Sequence, residues 1–209
     1  MNQVSVRDSR NTREDRRWIE SVYRDYLNDL APETTGMFPA LGEIGHRVPD
    51  QLVRWYADPS AQIMTILYGD QRAGFAMVNQ RLRHAAGAGA GAGAGLGAGV
   101  GVGAGTATAG PGAASVDVPP SPTPEYSMAE FFIARQWRRR GIGAQAVRLL
   151  LDRFTGQWLI TEHLLNAAAV KFWRRVVAAY TGSRYQERIV NGEVHQRFES
   201  GSRRRLTPP

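Results

Sequence analysis

The feature that most limits the fold of this chain is a tract, between His84 and Pro124, that can build no core. Twelve of the 23 glycines lie between Gly87 and Gly112, mostly alternating with alanine, and Asp117 is the only charge there. Pro119, Pro120, Pro122 and Pro124 follow. Such a stretch has few large apolar side chains to bury, although its alternating Gly-Ala also resembles silk, which stacks as sheets and makes it an aggregation hazard. The remainder, about 170 residues, has the length of one domain. One domain is therefore expected over 1–200, interrupted by a flexible Gly/Ala/Pro-rich insert at 85–124, with a basic disordered tail at 201–209. Loop closure costs little more as a loop lengthens, so the insert is tolerable and expected to be dispensable.

Several classes fall away at once. No window approaches 18 apolar residues without glycine, and the opening MNQVSVRDSRNTRED has no apolar stretch, so neither a membrane span nor a secretory signal is expected. The chain has no cysteine, which excludes disulfides, thiol catalysis and thiolate metal sites. A cytoplasmic location is the resulting expectation. His46, His84 and His195 are isolated, and no metal site is expected. The net charge is +7, and Lys171 is the only lysine. Arg135, Arg138, Arg139 and Arg140, with Arg203, Arg204 and Arg205, equal that whole excess. The rest balances, so the broad basic face of a nucleic-acid binder is not indicated.

Periodicity outlines the elements. Residues 4–6 alternate as a strand, and Asn11 or Thr12 can cap a helix carrying Trp18, Val22 and Tyr26 at four-residue spacing, ended by Pro32. A short helix is expected at 50–57, then strands at 62–67 and 73–78 around a Gly69-Asp70 turn. After the insert come a strand at 128–134, a basic loop at 135–140, a helix at 141–154, a strand at 158–161 and a helix at 166–180. The ending RYQERIV-NG-EVHQRFE reads as a hairpin turning at Asn191-Gly192 in type I′ geometry. The fold class is α/β (α+β), a mixed sheet with helices packed on it.

Chemistry concentrates between Arg135 and Ala146. Strand, cationic glycine loop, helix is the layout of a phosphate cradle: unpaired N–H groups at the helix start and the helix dipole both favour an anion. Gly141 and Gly143 let backbone approach that anion closely. A surface loop with solvated arginines is the plainer reading. A P-loop is excluded, because no Lys-Ser or Lys-Thr pair follows the glycines. Gly141-Ile-Gly143-Ala-Gln-Ala146 fits a dinucleotide fingerprint, with Glu162 further on. Against it, Arg-Gln-Trp-Arg-Arg-Arg separates the strand from the first glycine, and too few βα units follow.

Arg138-Arg139-Arg140-Gly141-Ile142-Gly143 also matches the R/Q-x-x-G-x-G/A signature of the GNAT superfamily of acyl-CoA N-acyltransferases. Asn166-Ala-Ala-Ala169-Val-Lys-Phe172-Trp173 resembles that superfamily's N-x-x-A-x-x-F-Y helix, one helix and one strand later. Together these segments resemble a bacterial acetyltransferase group within it. The resemblance implies a mostly antiparallel central sheet flanked by helices, with acetyl-CoA as cosubstrate. It implies that the N–H groups from Arg139 to Ala144, Ile142 included, hold the pyrophosphate, with Arg138, Arg139 and Arg140 adding charge. The strand through Phe132, Ile133 and Ala134 would pair with the pantetheine amides, and an N–H near Phe132 or Ile133 would polarise the thioester. Asn166 and Phe172 would flank the cofactor, although Asn166 is equally suited to cap its helix.

The implied reaction is transfer of acetyl from acetyl-CoA to a primary amine by direct attack in a ternary complex. Glu130, mid-strand in the cleft-forming segment, is the candidate base, with Glu162 and His163 next. The chain departs from the pattern at Trp173, where the family commonly carries a tyrosine that protonates the leaving thiolate. Tyr180 and Tyr185 are near in sequence but off that position. That departure keeps open a catalytically silent acyl-CoA-binding module, and the arginine loop keeps open nucleic-acid binding. The acceptor site is expected from 24–50 and 180–198, with Tyr26, Phe38, Trp55 and Tyr56 as candidates. The acceptor's identity and the oligomeric state stay open, and neither a nucleic-acid nor a membrane partner is expected.

Overall fold

The computed structural model describes residues 3–34, 52–83 and 123–201. Phe38, nearly all of the expected insert and all but the first residue of the tail lie outside them. Seven strands form one sheet in the order β1-β2-β3-β4-β5-β7-β6. They are β1 Val4–Asp8, β2 Ala61–Tyr68, β3 Gln71–Arg83, β4 Thr123–Ile133, β5 Gln157–His163, β6 Gln186–Val190 and β7 Glu193–Glu199. Every neighbouring pair is antiparallel except β4 and β5. That parallel pair needs a crossover, which α2 (Ile142–Arg153) supplies. α1 (Arg13–Thr34) precedes β2, a helical segment at 52–57 intervenes, and α3 (Ala167–Thr181) follows β5.

The two faces carry separate cores. Ile19, Tyr23 and Tyr26 of α1 bury Ile63, Phe75 and Phe132 on one face. Val147, Leu150 and Leu151 of α2 and Trp173 and Val177 of α3 bury Ile66, Tyr126, Met128 and Trp158 on the other. A mixed, mostly antiparallel sheet between helices is thus the architecture, in agreement with the expected fold class.

Several boundaries differ from expectation: β1 runs on to Asp8 and β5 spans Gln157–His163. α1 continues two residues past Pro32, to Thr34; a proline in the last turn removes one N–H bond without unwinding the residues beyond it. β3 runs on to Arg83, and β4 begins at Thr123, inside the span read as insert, with Arg83 opposite Thr123. The strands outlast their alternating apolar pattern because the ladder itself satisfies backbone groups whatever the side chains are.

A bulge and a glycine fix how β3 holds β4. Met77 faces Glu130 and Val78 faces Met128, so Ala129 is an extra residue, a β-bulge. A regular strand would put Met128 and Phe132 on one face; here they belong to opposite cores. The bulge thereby turns Glu130 to the α1 side. Gly74, opposite Ile133, is required by close approach: a Cβ there would lie 2.1 Å from the Phe132 carbonyl oxygen. That glycine lets β3 seat the end of β4 tightly.

Candidate active site

β4 and β5 pair only from Glu125–Gln157 to Met128–Ile160, and both strands continue beyond. Past the bulge they diverge. The opening is a cleft of about 910 Å³ lined by β4, the 137–144 loop, the end of β5 and one face of α3. Ala134 donates its N–H to Ala73 O at 2.9 Å, on the β3 side. Groups alternate in an extended strand, so the Ile133 N–H and C=O face the unpaired side toward the cleft, whereas those of Phe132 face β3.

The glycine loop sits at one end of the cleft. Arg139 and Gly141 hold positive φ, 62° and 77°, and Arg140 between them does not. Alternation of hand turns successive N–H groups the same way, as in an anion nest. Gly141 is the N-cap of α2 and offers no side chain to its first turn. The first bond of the helix is Gln145 N–H to Gly141 O at 3.1 Å, so Ile142, Gly143 and Ala144 N–H have no intrahelical acceptor. The N-terminus of α3, by contrast, is closed: Asn166 Oδ1 accepts from Ala169 N–H at 2.8 Å. Asn166 is thus a helix cap and lines the cleft as well. At Gly143 a Cβ would make only ordinary contacts, 3.5 Å from Phe172 and Ile133 side chains. The protein's own packing therefore leaves room for a methyl group at that position.

The arginines of this loop are not equivalent. Arg138 donates to Asp29 of α1, and its Nε donates to Ile133 O at 2.7 Å. Arg135 donates to the same carboxylate from Nε at 3.1 Å and Nη2 at 2.6 Å. Burial would raise the Asp29 pKa, but the hydrogen bonds from Arg138 and Arg135 prevail and hold it below the ordinary range. Arg140 lies over the Trp137 ring, 5.2 Å from its centroid, and Trp137 in turn packs on Tyr68. This clamp joins residues more than one hundred positions apart, and no sequence signal pointed to Asp29.

Glu130 lines the cleft near its vertex. Burial, then the nearby charge of Glu162, pushes its carboxyl up to about 8. Glu162 and Thr161 line the cleft too, whereas His163 accepts the Leu165 N–H at 3.2 Å through Nδ1 and is not among the lining residues. Phe131 stacks on Phe172 and meets Trp173 edge-on. Trp173 is buried at the position where the motif has tyrosine. Tyr180 instead donates to Asp152 at 2.9 Å, away from the cleft. Among the lining residues the one phenol is that of Tyr26, on α1. Trp55 and Tyr56 pack against the α1-side core and do not reach the cleft.

The profile of the acetyltransferase (GNAT) family matches residues 19–177. Among solved structures, a GNAT-family acetyltransferase of Streptococcus agalactiae is 11% identical, with a TM-score of 0.57 over 96% of this chain and 97% of that one. An acetyltransferase of Thermus thermophilus is 13% identical, at TM-score 0.54 over 95% and 99%. The PaiA N-acetyltransferase of Thermoplasma acidophilum, solved with coenzyme A, is 7% identical at TM-score 0.51 over 94% and 99%. No curated protein matches the sequence. These identities bear on fold alone, whereas the profile spans both motif segments and most of the sheet: the chain belongs to the GNAT acetyltransferase family.

Proposed function

We propose that this protein is an N-acetyltransferase that moves acetyl from acetyl-CoA to a primary amine by direct attack in a ternary complex. The observation that carries the reading is the divergence of β4 from β5 at Met128–Ile160, onto a cleft with open N–H donors at one end and a raised carboxyl near its vertex. Acetyl-CoA fits that polarity. The N–H groups of Arg139 to Ala144, with the Arg139 side chain, would take the pyrophosphate. The β4 edge that leaves β5, whose Ile133 C=O already accepts from Arg138, would offer its other groups, the Ile133 N–H among them, to the pantetheine amides as an added strand does. Asn166 and Phe172 would border the pantetheine. Between Phe132 and Ile133 as oxyanion donors, Ile133 is the better, since its N–H faces the cleft.

In the reaction the amine lone pair attacks the acetyl carbonyl, the C–N bond forms and the C–S bond breaks. Glu130 accepts the ammonium proton beforehand, and the electron pair leaves with the CoA sulfur. A thiol pKa of about 8.5 makes that thiolate a tolerable leaving group without the motif tyrosine.

The test is calorimetric binding of acetyl-CoA together with thiol release over a panel of amines. Arg138→Ala is expected to weaken acetyl-CoA about tenfold by freeing Asp29 and the loop, and Gly141→Asp by more, since it adds a negative charge and strains a positive φ. Wild-type affinity in both variants would remove the cradle. Trp173 favours a second reading, a binding module without turnover; tight acetyl-CoA binding with no thiol released from any amine marks it.

We also propose that the insert is dispensable. Arg83 and Thr123 face each other across the β3–β4 ladder, so a short turn can join them. Deleting 86–122 is expected to leave acetyl-CoA affinity and the melting temperature unchanged; loss of folding would make the insert structural.

A further inference from the structure

The side from which an acceptor arrives is set by Glu130. Its side chain is on the α1 side of the sheet, as are those of Met77 opposite it and Phe132 two residues on. Asn166 and Phe172 line the cleft from the α3 side. An amine that gives its proton to Glu130 therefore enters from the α1 side. There the core under α1 stops at β4: no residue of β5, β6 or β7 belongs to it. Trp158 and Ile160 of β5 and Phe198 of β7 are buried on the other side, against α2 and α3. The residues alternating with them, Thr161 and His195 among them, face the α1 side and are half-buried.

One rung of that face begins at the cleft. Thr161 lines the cleft and lies opposite His195, and His195 lies opposite Arg188. Directly opposed residues share a face, so the exposed Arg188 is on the α1 side as well. With strands about 4.8 Å apart, its backbone stands roughly 10 Å from that of Thr161. The other charges in this rung and the two beside it are matched. Glu193 meets His195 Nε2 at 3.1 Å, and Arg197 meets Glu125 at 3.6 Å. Glu187, next to Arg188 in sequence, is held by Arg174 of α3. Arg188 has no acidic partner among the described residues. Its planar fork suits a carboxylate or a phosphate, which it can grip with two parallel hydrogen bonds.

We infer that Arg188, reached from the cleft along Thr161 and His195, is the residue that selects the acceptor, and that the acceptor is a primary amine bearing an anionic group several atoms away. This rests on the acetyl-transfer reading and deepens it by giving the acceptor a chemical class. Thiol release from acetyl-CoA by the full chain, with four amines of one chain length, tests it: ω-aminohexanoate, aminohexyl phosphate, hexylamine and hexanediamine. At least one anionic amine is expected to exceed hexylamine about tenfold or more in kcat/KM, with the diamine lowest. The better of the two anionic amines tells carboxylate from phosphate. Arg188→Gln should remove that preference through KM, leaving kcat, the hexylamine rate, acetyl-CoA affinity and the melting temperature unchanged. Arg188→Lys should keep part of it. Equal wild-type kcat/KM for hexylamine and both anionic amines overturns the inference, as does a preference for the diamine. So does an Arg188→Gln variant that keeps the wild-type preference, since the arginine would then only guard the sheet edge. No thiol release with any of the four, although acetyl-CoA binds, removes the transfer reading and the acceptor class with it, a result distinct from equal rates.

Discussion

Glu130→Gln is expected to slow thiol release by about 10²- to 10⁴-fold, the usual contribution of a positioned general base, while acetyl-CoA affinity stays within about twofold. The carboxyl must be ionised to take the amine proton. Burial, then the charge of Glu162, sets its half-titration at about 8, so the wild-type rate should rise through that pH and level off above it. The same shift makes a stability statement of opposite sign. A carboxyl whose folded pKa lies above its unfolded value contributes stability below the unfolded value, near 4.5, and loses it as pH rises through about 8. Glu130→Gln should therefore melt higher than wild type at pH 9 and at nearly the same temperature at pH 4. A faster-unfolding or lower-melting variant at pH 9 would make Glu130 a structural residue. A rate loss below about tenfold would move the base elsewhere, with Glu162 the next carboxylate on the cleft.

Much of the scaffold of this site was legible in the sequence because its signals are local. Gly141-Ile-Gly143 announces a positive φ and an uncapped helix start. Asn166 announces a cap, and Asn191-Gly192 a turn in which both residues hold positive φ, 52° and 82°. The helix faces of α2 and α3 follow from spacing alone. What escaped is what depends on a partner strand or helix. The extra residue at Ala129 is defined only by its register against Met77 and Val78, yet it decides which face Glu130 occupies. Gly74 looks like a weak point in an apolar strand until the Phe132 carbonyl is beside it; a lone glycine inside a strand is the signal that could have found it. Asp29 lies more than one hundred residues from the arginines it holds. Counting arginines could not show that two of the four, Arg135 and Arg138, share the one carboxylate of Asp29.

Asp15→Asn is expected to be the most destabilising single substitution proposed, at about 3–5 kcal/mol, because it removes the one buried anion of the ion group and leaves Arg7 and Arg72 only the exposed Glu14, 3.7 Å from Arg72. The Asp15 side chain is fully buried. Its Oδ2 accepts from Arg7 Nε at 2.5 Å and from Thr12 Oγ1 at 2.9 Å. Oδ1 accepts from Arg7 Nη2 at 2.7 Å and Arg72 Nε at 2.6 Å. One carboxylate thus ties β1, the first turn of α1 and the start of β3. Burial alone would raise its pKa, but the hydrogen bonds from Arg7, Arg72 and Thr12 outweigh burial and hold it at about 2. With the folded pKa depressed, this stabilisation is present above the unfolded value, near 3.8, and is lost as pH falls through about 2. At pH 7 the variant should melt on the order of 10 °C lower, and its melting curve should converge on that of the wild type toward pH 2. Asp15 does not line the cleft, but α1 carries Tyr26 and Asp29 to it. Below its melting transition the variant should accordingly keep the wild-type turnover per folded molecule. A drop in turnover at about 15 °C, well below that transition, would mean that the ion group also sets the position of α1 against the glycine loop, through Asp29.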